Sequence, residues 1–176
     1  MKIVLFTSIL SFALVSFIFG SSNERKEMVG KKAPNFTLLD DQGKERTLQE
    51  FAGKKIVLYF YPKDDTPGCT KEACSFRDNI SLYSNNDIIV LGISYDSPES
   101  HKKFKEKYNL PFILLSDSEK KVAELYHANH GISGKFVANR VTYLIDEEGI
   151  IVDYFENVDV STHALDVLKK FGIKSE

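Results

Sequence analysis

Six apolar residues in a row, Ile56-Val57-Leu58-Tyr59-Phe60-Tyr61, constrain this chain more than any other stretch of it. A strand with one wet face alternates apolar and polar residues, whereas an unbroken run belongs to a strand covered on both faces. The run is short and rich in β-branched and aromatic side chains, which favours strand over helix. Ile88 to Ile93 and Phe112 to Leu115 repeat the pattern. Helical segments fall among these runs. Ser97-Pro98-Glu99 supplies an N-cap, a proline at the first helical position and a first-turn acid, and the helix it opens carries Phe104 and Tyr108 on one face. Asp117 to Tyr126 is predicted helical, burying Val122, Leu125 and Tyr126. So is Ser161 to Phe171, which buries Ala164, Leu165, Leu168 and Phe171 and stops at Gly172. Asp41-Gln42-Gly43 and Asp146-Glu147-Glu148-Gly149 each join two strand-like runs as hairpins. The expected fold class is α/β, a mixed central β-sheet with helices on both faces.

The N-terminus reads differently. Met1-Lys2 is followed by an apolar run from Ile3 to Phe19, then by Gly20-Ser21-Ser22 and polar residues. A basic start, an apolar stretch and small residues at its end are features of a secretory signal, and the run is barely long enough to span a bilayer. Residues 1–22 are therefore expected to be a signal peptide or an N-terminal membrane anchor, 23–30 a linker, and 31–176 the folded domain. The chain would be exported, periplasmic or secreted, or tethered to a membrane. A hydrophobic content of 43% over 176 residues supports one core. With a net charge of -2 and no basic block, no nucleic-acid partner is expected.

The two cysteines, Cys69 and Cys74, lie close together. A structural disulfide gains most by closing a long loop, so a bridge across so few residues would stabilise little. The pair reads as chemistry. Directly after the Ile56–Tyr61 run, Thr66-Pro67 forms an N-cap and first helical position, placing Cys69 third in the first turn. Unpaired backbone N–H groups and the helix dipole favour an anion there, and the thiolate is the nucleophilic form of a thiol. Cys69, Ala73, Phe76, Ile80 and Tyr83 share one face, and Cys74 lies about 140° around the helix, towards solvent. An ideal helix separates such positions by roughly 8–9 Å between Cα atoms, while a disulfide needs less than about 7 Å. If the two sulfurs bond, the first turns must unwind.

Pro62-x-x-x-Thr66-x-x-Cys69 resembles the active-site motif of peroxiredoxins. Cys74, within Thr66-Pro67-Gly68-Cys69-Thr70-Lys71-Glu72-Ala73-Cys74, is similar to the peroxiredoxin Q or bacterioferritin comigratory protein subfamily. The resemblance runs from Lys31 to Phe171 and includes Ala33-Pro34-Asn35-Phe36-Thr37-Leu38 and Arg140-Val141-Thr142-Tyr143-Leu144-Ile145-Asp146. It implies a thioredoxin-like fold and a thiol-dependent peroxidase acting on hydrogen peroxide and organic hydroperoxides. Cys69 would be the peroxidatic cysteine and Cys74 the resolving cysteine, forming an intramolecular disulfide. Thr66 would hydrogen-bond sulfur and peroxide, Pro62 would shield the site from water, and Arg140 would hold thiolate and peroxide oxygens. A thioredoxin-like protein would be the reductant. The resemblance implies a monomer and no metal, haem or flavin.

Glu72 is open between pairing with Arg140 and facing solvent, and Lys71 reads as surface. His127 and His130 are spaced like a metal pair but have no cysteine or carboxylate near them in sequence, so a solvated loop bordering the site is expected. Two other functions share the cysteine chemistry. A thiol–disulfide oxidoreductase usually separates its cysteines by two residues and has a proline before the hairpin strand, and no proline follows Pro111 here. A copper-binding thioredoxin-like protein would suit soft sulfur ligands, but would leave Thr66 and Arg140 without a role.

Overall fold

The computed structural model describes residues 22–131 and 133–174. The expected leader therefore lies, but for Ser22, outside the described residues. Among those described, no helix is long and apolar enough to cross a membrane.

Seven strands form one sheet: β1 (Thr37–Asp40), β2 (Glu45–Thr47), β3 (Lys55–Phe60), β4 (Ile88–Ser94), β5 (Ile113–Ser116), β6 (Val141–Ile145) and β7 (Ile151–Phe155). Their spatial order is β2-β1-β5-β4-β3-β6-β7. β3, β4 and β5 run parallel, and the remaining pairings are antiparallel. The period of two along β3 explains its unbroken apolar run. Ile56, Leu58 and Phe60 enter one core with Leu91, Ile93, Tyr143 and Ile145. Val57, Tyr59 and Tyr61 enter the other with Val90, Leu114 and Leu144.

Helices cover both faces, as the sequence predicts. On the Tyr59 side lie α2 (Pro67–Asp78), α3 (Ile80–Ser84), α4 (Pro98–Tyr108) and α6 (His163–Lys170), contributing Phe76, Tyr83, Phe104, Val167 and Leu168. On the Phe60 side lie α1 (22–28) and α5 (Lys121–Leu125), contributing Met28, Val122 and Ala123.

The structure corrects three local expectations. Residues 23–30, expected as a linker, are mostly helical: α1 fills most of that stretch and buries Met28. The helix expected from Asp117 begins only at Lys121, because Lys120 takes a left-handed backbone (φ 63). Asp117 sits beyond its start and accepts hydrogen bonds from the backbone of Val122 (3.2 Å) and Ala123 (2.7 Å). Leu125 and Leu165 are exposed rather than buried, since Val122 with Ala123, and Ala164 with Val167 and Leu168, take the inner faces.

Candidate active site

The site is built where β3 ends and α2 begins. Thr66 occupies the N-cap in extended backbone, Pro67 opens the helix, and Thr66 O accepts from Thr70 N at 2.8 Å. Pro67 loses nothing by lacking an N–H at the first helical position. The loop between is pinned by α4. The buried Asp64 carboxylate accepts from Tyr61 Oη (2.7 Å) and Ser100 Oγ (2.8 Å) and lies 2.9 Å from His101 Nδ1. Asp65 sits in the left-handed region at φ 55, a strain of about 1–3 kcal/mol. Bonds from Lys107 Nζ and Tyr108 Oη to its carboxylate hold it there. A rigid loop fixes where α2 starts, and so where its third residue points.

That residue is Cys69, 2% exposed and on the inner face with Ala73 and Phe76. Arg140, from the segment leading into β6, donates through Nη2 to Cys69 Sγ at 3.4 Å and through Nη1 to Glu72 Oε2. Glu72 lies one turn along α2 from Cys69 and is fully buried, which settles the question left open by the sequence. The guanidinium fork is thus held flat between a sulfur and a carboxylate. A Cβ at Gly68 would stand 3.4 Å from Arg140 Nη2, so glycine leaves the fork room beside the helix start.

A second tier lies behind Glu72. Burial pushes its carboxyl up to about 7, against the opposing pull of Arg140. Its Oε1 has no hydrogen-bond partner among the described residues and lies 3.8 Å from His163 Nε2. His163 Nε2 in turn meets Thr142 Oγ1 at 2.8 Å. Burial pulls the imidazole down to about 4, so it is neutral near neutral pH. Tyr59 adds a buried hydroxyl, raised well above the ordinary phenol range first by burial and then by the charges of Glu72, Asp64 and Cys69. Sequence reasoning misses Tyr59, Thr142 and His163, which look there like ordinary strand and helix residues. The one available signal is Thr142 standing two residues after Arg140.

The other sequence candidates fall as follows. Thr66 is half-buried, and its hydroxyl donates to Lys63 O at 3.0 Å. Pro62 is half-buried in the loop leaving β3. Cys74 is half-buried rather than fully on the solvent side, and both cysteines are free thiols within the unbroken α2. Lys71 is exposed. The His127–His130 loop is not without a carboxylate, because α1 places Glu24 against both rings.

The AhpC/TSA family model matches residues 29–154, which contain every residue of this site except His163. The chain belongs to the AhpC/TSA family. This AhpC/TSA protein is 44% identical over 153 residues to the peroxiredoxin Bcp of Bacillus subtilis, covering 84% of this chain and 97% of the relative. Its fold matches the crystal structure of the peroxidoxin BcpB of Mycobacterium tuberculosis with a TM-score of 0.77 and 33% identity, over 84% of this chain and 98% of that one. It also matches the bacterioferritin comigratory protein of Xanthomonas campestris, studied for alkyl peroxide reduction, with a TM-score of 0.73 and 33% identity. That match covers 78% of this chain and 90% of that one. Peroxiredoxins are thiol peroxidases, and this AhpC/TSA protein is a thiol-dependent peroxidase with a thioredoxin-like fold. Its substrate is a hydroperoxide and its reductant of the thioredoxin type.

Proposed function

We propose that this peroxiredoxin reduces hydrogen peroxide and organic hydroperoxides at Cys69 and transfers the oxidised state to a disulfide with Cys74. The observation that carries the reading is the Arg140 Nη2 bond to Cys69 Sγ at the start of α2. The sulfur that reacts thus sits in the first helical turn with a guanidinium N–H aimed at it. The thiolate attacks the terminal peroxide oxygen, forming an S–O bond as the O–O bond breaks. The electron pair leaves on the distal oxygen, which takes a proton and departs as water or an alcohol. Negative charge grows on that oxygen in the transition state, and donors already in place lower its energy. Arg140 is one such donor; Thr66, at the helix N-cap, is the second we assign, its hydroxyl turning from Lys63 O to the peroxide as substrate binds.

Cys69 is then a sulfenic acid. Cys74 attacks its sulfur, the S–S bond forms, and the hydroxyl leaves as water. A dithiol protein of the thioredoxin type restores both thiols by exchange. Action on organic hydroperoxides is supported by the likeness to the Xanthomonas protein. The apolar run from Ile3 to Phe19 supports export or tethering.

Peroxide turnover of the wild type, Cys69→Ser and Cys74→Ser tests the scheme, with intact mass read after one equivalent of peroxide. Cys69→Ser should be inactive. Cys74→Ser should stop one oxygen heavier, at the sulfenic acid, and turn over only with an added small thiol. Turnover surviving in Cys69→Ser would overturn the assignment.

A further inference from the structure

Where α1 meets the loop that follows α5, three side chains converge that the peroxidase reaction does not use. Glu24, His127 and His130 offer ligand atoms that all lie within 4.8 Å of one another. Glu24 Oε2 stands 3.4 Å from His127 Nδ1 and 3.0 Å from His130 Nε2, and the two rings stack at 5.7 Å with 27° between their planes.

The cluster is held from several sides. His127 sits at φ 51, in the left-handed region that side chains with a Cβ resist. Its carbonyl accepts from Arg25 Nη1 at 2.7 Å, so α1 grips the loop at the residue that carries the strain. Arg25 is itself paired with Glu156 at 3.0 Å, which offsets a positive charge close to the cluster. On the other side, Asn139 N donates to Ala128 O (2.7 Å) and Asn139 Nδ2 to His130 O (2.8 Å).

We propose that Glu24, His127 and His130 form a binding site for a divalent transition-metal cation of the Zn2+ class, with water completing the coordination. Two imidazoles and a carboxylate are a donor set that zinc accepts. Ligands about 2.0–2.2 Å from a tetrahedral ion stand about 3.3–3.6 Å apart. The two carboxylate–imidazole separations, 3.4 and 3.0 Å, already approach that spacing. With three protein ligands instead of four, the site takes an exchangeable ion. Binding would tie α1 to the loop whose far end is hydrogen-bonded to Asn139, the residue before Arg140.

Cobalt(II) is the probe, added to the Cys69→Ser/Cys74→Ser protein so that thiolates do not compete. One equivalent should bind with visible d–d absorption, without thiolate charge-transfer bands, and be displaced by Zn2+. His130→Ala and Glu24→Gln, each in that same background, should weaken binding at least about tenfold, as the loss of one ligand interaction would. The same substitutions placed in the otherwise wild-type chain should keep peroxide turnover in chelator, which shows that they fold and leaves the peroxidase reading untouched. No cobalt absorption, or a titration unchanged by either substitution, overturns the site and leaves a hydrogen-bonded surface cluster.

Discussion

At the scale of single residues, Arg140 is held at two points of its fork, by Cys69 Sγ and by Glu72. A lysine would keep the charge but has one nitrogen, so it can serve the carboxylate or the sulfur and not both with the same geometry. Arg140→Lys should lower peroxide turnover by about a hundredfold or more, the scale of a lost transition-state donor. Its unfolding free energy should change by only about 1 kcal/mol. Turnover kinetics beside urea melts separate the two effects, and a loss of stability without a loss of rate would make Arg140 a structural residue. Arg140 was legible in the sequence because its motif carries it. The fate of Glu72 was not, since one sequence cannot say which side of α2 the fork approaches. Tyr59, Thr142 and His163 were hidden for a similar reason: their contacts with the site are long-range, and locally they read as strand or helix residues.

At the scale of elements, α2 holds both thiols in one wound helix. Its lower half is anchored: Phe76 is fully buried, with its ring against Tyr59 at 5.1 Å, Tyr83 at 5.7 Å and His163 at 5.5 Å. Its first turn is held more lightly: Cys69 is buried and bonded to Arg140, but Gly68 and Thr70 are half-buried and Pro67 and Lys71 exposed. Opening should therefore run from Pro67 towards Ala73 and stop short of Phe76. Far-UV circular dichroism should show helix lost when one equivalent of peroxide is added to the wild type and kept when it is added to Cys74→Ser. Equal spectra before and after disulfide formation would show that the bond closes without unwinding. The strands were readable because alternation and apolar runs report burial directly. α1 was not, because its polar residues resemble a linker and only Met28 and Arg25 turn inward. The late start of α5 follows from a left-handed Lys120, which leaves no mark in composition.

At the scale of the whole molecule, two buried groups beneath the site act on stability with opposite sign. Glu72 has a folded value of about 7 against an ordinary 4.5, so its contribution is full below about 4.5 and is lost as pH rises through 7. His163 has a folded value of about 4 against an ordinary 6.5, so its contribution is full above about 6.5 and is lost as pH falls through 4. The groups facing His163 are Glu72, Thr142 and the rings of Phe76 and Phe155, with Arg140 and Asp166 acting through their charges. Urea melts from pH 4 to 8 should show the acid-side decline shrink in His163→Gln and the neutral-side decline shrink in Glu72→Gln. Parallel curves for all three proteins would mean that neither group is perturbed by folding. The weak first turn of α2 has one more consequence, which is a race. In the proposed scheme the sulfenic acid stays in the pocket until that turn opens, and there a second oxidant molecule would carry the sulfur to a sulfinic acid that thiols do not reverse. On that scheme, the ease with which a few residues let go would set the oxidant dose at which the enzyme poisons itself.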